Sequence, residues 1–431
     1  MSVHVQHAFA KWTEVIPEGE IRRLLKYQVK YYFGGGLPGA LATEHLAGIV
    51  ESVGRDLLAE LAAGESGKAL QAFNYSKTAG LDSLRLLLLQ LLVKRQKLPY
   101  IPERDYHQMM ITAGAQQSIY ALLDATLNPG DFVLSAGPSY LGFVSPVVKL
   151  GGKVVLCPSD QQGLTVEGVE TAINVIKRRF GVAPKLLYVI PDSDNPKGTT
   201  LPWERRQAFF EIAEREDILI VEDAAYKEIQ FGGERIAPIK TLDVENLRVA
   251  YLASTSKEAG VLRLGYAMLP EDLRAEMEKA RGFYDLCSPV LTQMIAERYY
   301  HLDLDSILKD VLDIYARRSN AMVESVGKYF PAGEMTHPQG GFFVWWEAPE
   351  EAHFNAKGFN EAVAIPNDIL YVPSEAFYPV KGWKVDEQAR DLIPVSPRKN
   401  GMRLSFSAVQ VPQIVEGIEK LGHLLKMHLD R

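Results

Sequence analysis

Lys257 closes the segment Ser254-Thr255-Ser256-Lys257 at the end of the apolar run VAYLAS. A lysine ammonium is strongly hydrated and rarely ends a buried strand without a task. Desolvation lowers the pKa of the amine, and the free amine is a nucleophile that forms a Schiff base with a carbonyl. Taken alone, a strand-end lysine with its head in water is the simpler account. The residues that end the neighbouring apolar runs change that balance.

Ligands of open α/β sheets sit beyond the carboxyl ends of the strands, and four runs end there in reactive side chains. QMMITAG leads into AQQ, where Gly114, Ala115 and Gln116 would offer a phosphate the free N–H groups and positive dipole end of a helix start. A plain tight turn is the alternative. KLLYVIPDSDNPKG presents Asn195 before Pro196, leaving its amide free to bond a ligand oxygen, although Asn-Pro is also an ordinary turn pair. ILIVEDAAY delivers Glu222 and Asp223 to a strand end, with Tyr226 following; a carboxylate there either caps a helix or pairs with a buried cation. Beyond Lys257 stands Arg263, whose planar fork suits a phosphate, and Arg403 opens RLSFSAV, where a guanidinium could clamp a carboxylate through two bonds. A solvated strand-end arginine is the alternative for both.

These side chains need a rigid scaffold. The middle of the chain alternates apolar runs (QMMITAG, DFVLSAG, KLLYVIPD, ILIVEDAAY, RVAYLASTS, LGYAMLP) with helical spacing in AQQSIYALLDATL and WERRQAFFEIAERE, the pattern of an α/β domain on a largely parallel sheet. EIRRLLKYQVKYYF reads as an amphipathic helix. From about residue 305 come a long helix (SILKDVLDIYARRSNAMVESVGKYF), the strands GGFFVWWEAP and RLSFSAV, and a closing helix. The expected division is a small domain from residues 1–50 and 305–431 around a large domain of residues 51–304. The stretch from Tyr378 to Gly401, with Pro379, Pro394 and Pro397, reads as a long loop.

Composition narrows the function classes. The 431 residues are 47% hydrophobic and 23% charged, ordinary for a soluble globular protein. A net charge of −7, without a long basic run, argues against a nucleic-acid partner. Two cysteines and nine scattered histidines support neither a disulfide framework nor a metal site. The first residues lack the apolar core of a secretory signal, and LRLLLLQLLV, interrupted by Arg85 and Gln90, is too short to span a membrane. A cytoplasmic location is expected. Gly34, Gly36 and Gly39 in FGGGLPG match a dinucleotide fingerprint, but a helix is expected before them where that motif needs a strand.

With these motifs in view, the chain resembles the fold type I, pyridoxal-phosphate-dependent aminotransferases of class I/II, and is most similar to the branch of 2-aminoadipate (LysN-type), kynurenine and archaeal aromatic aminotransferases. The resemblance rests on FGGGLP, NYSKTAGLDSLR, TAGAQQSI, PSYLGF, DNPKGTTLPWERR, IVEDAAYKEIQF, STSKEAGVLRLGY, GGFFVWW and GMRLSFS, in family order. It implies a large domain on a mostly parallel seven-stranded sheet with a smaller α+β domain. The implied cofactor is pyridoxal 5'-phosphate, held by Lys257 through a Schiff base. Asp223 would face the pyridine nitrogen and Tyr140 the ring; Asn195 and Tyr226 would bond the ring oxygen. Residues 114–116, Ser254, Ser256 and Arg263 would take the phosphate. Tyr75 would reach the phosphate of the other subunit of a homodimer. Arg403 would bind the substrate α-carboxylate beside Gly36 and Asn195, and Arg22 a side-chain carboxylate. The implied reaction moves an amino group between an amino acid (aromatic, 2-aminoadipate or leucine-like) and a 2-oxo acid such as 2-oxoglutarate. A lyase or synthase of the same fold, and a non-catalytic cofactor-binding regulator, are the alternatives. Three features depart from the family pattern: a short interval between Lys257 and Arg263, Lys197 in NPKG, and the length of the 378–401 stretch.

Overall fold

Leucine-rich and β-branched runs without charge in their middles can be buried on both faces, which a parallel sheet requires. In the computed structural model, which describes residues 9–38 and 41–429, such runs build a nine-stranded sheet. Its order is Asp391–Pro394, Trp383–Asp386, Lys153–Cys157, Phe132–Ala136, Leu186–Val189, Leu219–Asp223, Val249–Ser254, Gly265–Met268 and Met109–Thr112. From Trp383–Asp386 to Val249–Ser254 each neighbouring pair is parallel, whereas Gly265–Met268 runs antiparallel to both its neighbours. Met109–Thr112 therefore points the same way as the parallel strands. The carboxyl ends that carry Gly114, Asn195, Asp223 and Lys257 consequently meet at one edge. Lys153–Cys157 is a strand that the pattern reading does not single out.

Residues 109–268 supply seven of these strands. The other two form an antiparallel hairpin inside the stretch expected to be a loop. Proline suggested the loop, yet Pro394 ends the outermost strand, where a missing N–H costs little. Trp383 meets Phe180 edge-on at 6.1 Å, and Arg179 bonds Asp391 at 3.0 Å, fixing the hairpin to the helix Val166–Phe180.

The leucine-rich segment is the helix Asp82–Gln96, which buries Leu84, Leu88, Leu89 and Leu92 along one face; each such side chain contributes about 1.5–3 kcal/mol. They pack in one cluster with Leu46, Ile49, Val53 and Leu57 of the helix Leu41–Ala62 and with Tyr299 and Tyr300 of the helix Val290–Tyr300. Leu41–Ala62 runs through the expected domain boundary at residue 50, and the 383–394 hairpin lies on the large sheet; both features cross the expected division.

The smaller sheet holds Glu334–Met335, Phe343–Glu347, Gly401–Ser405 and Val372–Pro373 in that order, with helices Leu304–Tyr329 and Val411–Leu429 in its core cluster. EIRRLLKYQVKYYF is not one helix. Its helix stops at Glu20–Leu24, and Tyr31–Tyr32 pairs in parallel with Ile369–Leu370. Tyr31 and Phe33 are buried with period two, so alternation overrides the helical spacing here. A strand thus precedes FGGGLPG after all, though it belongs to a two-stranded pair remote from any βαβ unit; Gly39 lies outside the described residues. Among the described residues no helix is long and apolar enough to cross a membrane, and no cluster could hold a metal ion.

Candidate active site

Gly114 sits at φ +105 as the cap of the helix Ala115–Thr126, a conformation that glycine alone adopts cheaply. The helix start leaves its first N–H groups without partners inside the helix. A side chain at Gly265 would meet the backbone of Gly114 at 2.6 Å, so the turn lies tight against the neighbouring strand. Arg263 closes this corner. Its Nη1 donates to Ser256 Oγ at 3.1 Å and its Nη2 to the Ala113 carbonyl at 3.2 Å, with Ser254 and Ser256 joined through their hydroxyls at 2.9 Å. The short interval between Lys257 and Arg263 is absorbed by a left-handed turn, φ +47 at Arg263.

Asp223 ends its strand and is buried. Tyr188 donates its hydroxyl to Oδ2 at 2.7 Å and the Ala225 N–H reaches Oδ1 at 3.1 Å. Burial raises the carboxyl's pKa despite these donors, which leaves a carboxylate that gains from a cation placed before it. Tyr188 is held flat against Phe143, with centroids 3.8 Å apart. Tyr140 caps the next helix and gives its hydroxyl to Gln116 at 2.9 Å; burial, then the charge on Asp223, push it up to about 12.

Lys257 follows Ser254 in a single tight turn and donates to the Gly36 carbonyl at 3.0 Å. Burial first, then the Arg403 charge, pull its amine down to about 8 against the opposing effect of Asp223. Lys240 provides the control. It is fully buried and likewise pulled down to about 8, but it is tied to Asp243 at 2.8 Å, to Asn246 and to the Val249 carbonyl. Lys240 is a satisfied structural cation. Lys257 has one neutral acceptor and opens on a cavity.

That cavity, about 250 Å³, is lined by Gly36, Gly114, Ala115, Gln116, Tyr140, Asn195, Asp223, Tyr226, Ser254, Ser256, Lys257, Arg263 and Arg403, together with Ile21, Ile119, Ile190, Ala225 and Phe343. Arg403 is buried, with Nη1 on Asn195 Oδ1 at 2.8 Å, Nη2 on the Gly34 carbonyl at 2.7 Å, and no hydrogen-bond partner for Nε among the described residues. Its guanidinium lies 4.0 Å from the Phe343 ring centre and 5.0 Å from that of Phe377. Burial pulls its pKa down to about 10. Burial likewise raises Tyr226.

Two expected residues are not brought to the cavity. Arg22 is exposed to solvent, while Ile21 of the same short helix lines the wall; successive helical residues point about 100° apart, so both cannot face inward. Tyr75 is 77% exposed and does not line this cavity. Conversely, Tyr188, Ile21 and Phe343 belong to the site without having been singled out. Tyr188 stands within the KLLYVIPD run that leads to Asn195, where its phenol is the polar group in an otherwise apolar strand; Ile21 and Phe343 carry no local signal.

The donor set suits a phosphorylated pyridine aldehyde. The helix start and Arg263 form an anion cup, Asp223 has no ion-pair partner among the described residues, and the Lys257 amine shares the cavity with that carboxylate and Arg403 and feels the charge of both. Residues 54–383 match the family model described as aminotransferase class I and II. The aromatic-amino-acid aminotransferase 1 of Thermococcus litoralis is 32% identical over 366 residues, covering 84% of this chain and 82% of the relative. The crystal structure of the multiple substrate aminotransferase from Thermococcus profundus superposes with a TM-score of 0.86 at 30% identity over 100% of both chains. The alpha-aminoadipate aminotransferase of Thermus thermophilus, complexed with N-(5'-phosphopyridoxyl)-L-leucine, gives 0.83 at 27% identity over 99% of this chain and 100% of its own.

Proposed function

The chain belongs to the class I and II aminotransferases, enzymes of PLP fold type I that use pyridoxal 5'-phosphate, and from that premise we propose that it exchanges amino groups between an amino acid with an apolar or aromatic side chain and a 2-oxo acid such as 2-oxoglutarate. The observation that carries the reading is the amine of Lys257, hydrogen-bonded to a neutral carbonyl and facing the same cavity as the Asp223 carboxylate and the Arg403 guanidinium.

Bound at this site, the cofactor supplies an aldehyde that captures amino groups and a pyridinium ring that spreads negative charge from the substrate α-carbon. Lys257 Nζ, depressed to about 8, would hold the cofactor and then take and return the proton of the substrate α-carbon, a task for which a lowered amine pKa suits it. Asp223, braced by Tyr188 and the Ala225 N–H, would keep a proton on the ring nitrogen. Tyr140 would lie against the ring, and Asn195 and Tyr226 would hold its oxygen. Gly114, Ala115, Gln116, Ser254, Ser256 and Arg263 anchor the phosphate. Each terminal nitrogen of Arg403 keeps a free N–H for the substrate carboxylate beside Gly36, and the flanking Phe343 and Phe377 rings exclude water from that pair, which strengthens it.

The substrate side of the wall favours an uncharged side chain. Among the described lining residues the arginines are Arg263, on the phosphate corner, and Arg403, on the carboxylate. Ile21 and Phe343 form the remaining surface there, so leucine-like and aromatic donors fit better than 2-aminoadipate. Exposed Tyr75 is the residue proposed to reach the phosphate of a second copy in a homodimer, and a cytoplasmic location accompanies this reading.

A panel of amino acids offered with 2-oxoglutarate tests it. Leucine-like and aromatic donors should form glutamate mole for mole with the 2-oxo acid. Release of ammonia without glutamate would instead mark a lyase.

A further inference from the structure

Glu258, the residue after Lys257, points away from the cavity into the large-domain core, and nothing in the proposed chemistry uses it. It is 4% exposed, and its Oε1 accepts the hydroxyl of Tyr300 at 2.6 Å. Tyr300 ends the helix Val290–Tyr300, is itself buried, and meets Tyr266 and Tyr299 edge-on at 6.3 and 5.2 Å. Tyr266 lies on the strand paired with the one that leads to Lys257, opposite Ala253.

The groups that surround the carboxyl are Tyr300 and Tyr299 from the helix, Tyr266 from the strand, Glu228 from the turn after Leu219–Asp223, and Arg95 from the helix Asp82–Gln96. Arg95 is already engaged by Glu228 at 2.8 Å and Asp305 at 2.7 Å. Among the described residues Glu258 therefore has no ion-pair partner, and Arg95 acts on it only at a distance. Burial, then the charge on Glu228, hold its carboxyl well above the usual range. A buried acid of this kind is costly to keep, and apolar side chains would fill the same place more cheaply. Its one directed contact ties the Lys257 turn to a helix end.

We propose that the Glu258–Tyr300 hydrogen bond is a positioning device that fixes the turn bearing Lys257, so that its amine stays dry and aimed at the substrate α-carbon. The turn itself is short, Thr255–Lys257, with the Glu258 and Ala259 N–H groups on the Thr255 carbonyl at 3.2 and 2.8 Å. On the cavity side Lys257 has a single hydrogen bond, to a glycine carbonyl of the 34–36 loop. The anchor on the opposite face supplies the rigidity which that loop does not. The proposal rests on the reading of Lys257 as the reactive amine.

The test uses Tyr300→Phe, Glu258→Leu and Glu258→Gln, the last keeping an oxygen to accept the Tyr300 hydroxyl. In cofactor-free protein, the pH midpoint of Lys257 acetylation by a trace of acetic anhydride, read by peptide mass spectrometry, reports its amine pKa. Tyr300→Phe and Glu258→Leu should raise that midpoint by at least about 0.5 unit as water reaches the amine. They should also lower kcat of the reconstituted enzyme roughly tenfold at unchanged KM for the amino acid, whereas Glu258→Gln keeps both near wild type. A merely structural role would lower the melting temperature and leave the midpoint and kcat unmoved, which would overturn the proposal alone. Equal loss in Glu258→Gln and Glu258→Leu would do the same. A wild-type midpoint near that of an ordinary lysine would overturn the functional reading with it.

Discussion

The two walls of the cavity are built differently. The cofactor wall comes from consecutive strand ends of one sheet, where Gly114, Asp223, Ser254, Ser256, Lys257 and Arg263 each stand next to an apolar run. The substrate wall is assembled from pieces far apart in sequence: Ile21 near one end of the chain, the Gly34–Gly36 loop, Phe343 from the middle of the small sheet and Arg403 from its neighbouring strand. The first wall is rigid because the sheet is. The second depends on contacts between segments and is where substrate choice can change without disturbing the chemistry.

Variants should separate the walls by which kinetic constant they move. Asp223→Ala removes the cation's partner on the cofactor wall and should cost roughly 3–5 kcal/mol, a hundred- to several-thousand-fold in kcat, with substrate KM little changed; stopped-flow half-reactions would measure it. Lys257→Met probes the same wall through stability. With a folded pKa of about 8 against 10.5 unfolded, the unfolded chain binds the extra proton between these values, so wild-type stability rises with pH across that window. Cofactor-free Lys257→Met should therefore exceed wild type at pH 7 by on the order of 3 kcal/mol, with the gap closing between pH 8 and 10.5 in urea titrations.

On the substrate wall, Arg403→Lys keeps the charge but loses the planar fork and its stacking on Phe343, and should raise KM for amino acids about 10- to 100-fold, roughly 1.4–2.8 kcal/mol, without releasing cofactor. Ile21→Ala should lower kcat/KM for leucine-like and aromatic donors by about tenfold. Arg22→Ala should leave glutamate and 2-aminoadipate kinetics within about twofold, as expected for a solvated helix face. A large effect of Arg22→Ala, with none for Ile21→Ala, would reverse the assignment of that helix.

The same contrast explains what could be read from the sequence. Strand ends announce themselves, because a charged or polar side chain after VAYLAS or ILIV stands out against its run, and the motif order there carried the family. The 383–394 hairpin was hidden by its prolines, since an edge strand tolerates what a central one does not. The segment after Glu20 was misread because one turn of helical spacing gives way to Tyr31 and Phe33 alternating against the small sheet. Ile21 and Arg22 show the finer limit. Only the docking of that helix decides which neighbour faces inward, and no local pattern encodes it.

The central claim is that Lys257, and not Lys240, whose amine is pulled down as far, is the amine that holds pyridoxal 5'-phosphate. Borohydride reduction of the reconstituted protein, followed by digestion and mass mapping, tests this directly. The account predicts one reduced pyridoxyl group, on the peptide containing Ser254-Thr255-Ser256-Lys257. A tag on Lys240 or any other lysine, or no stable adduct at all, would contradict it.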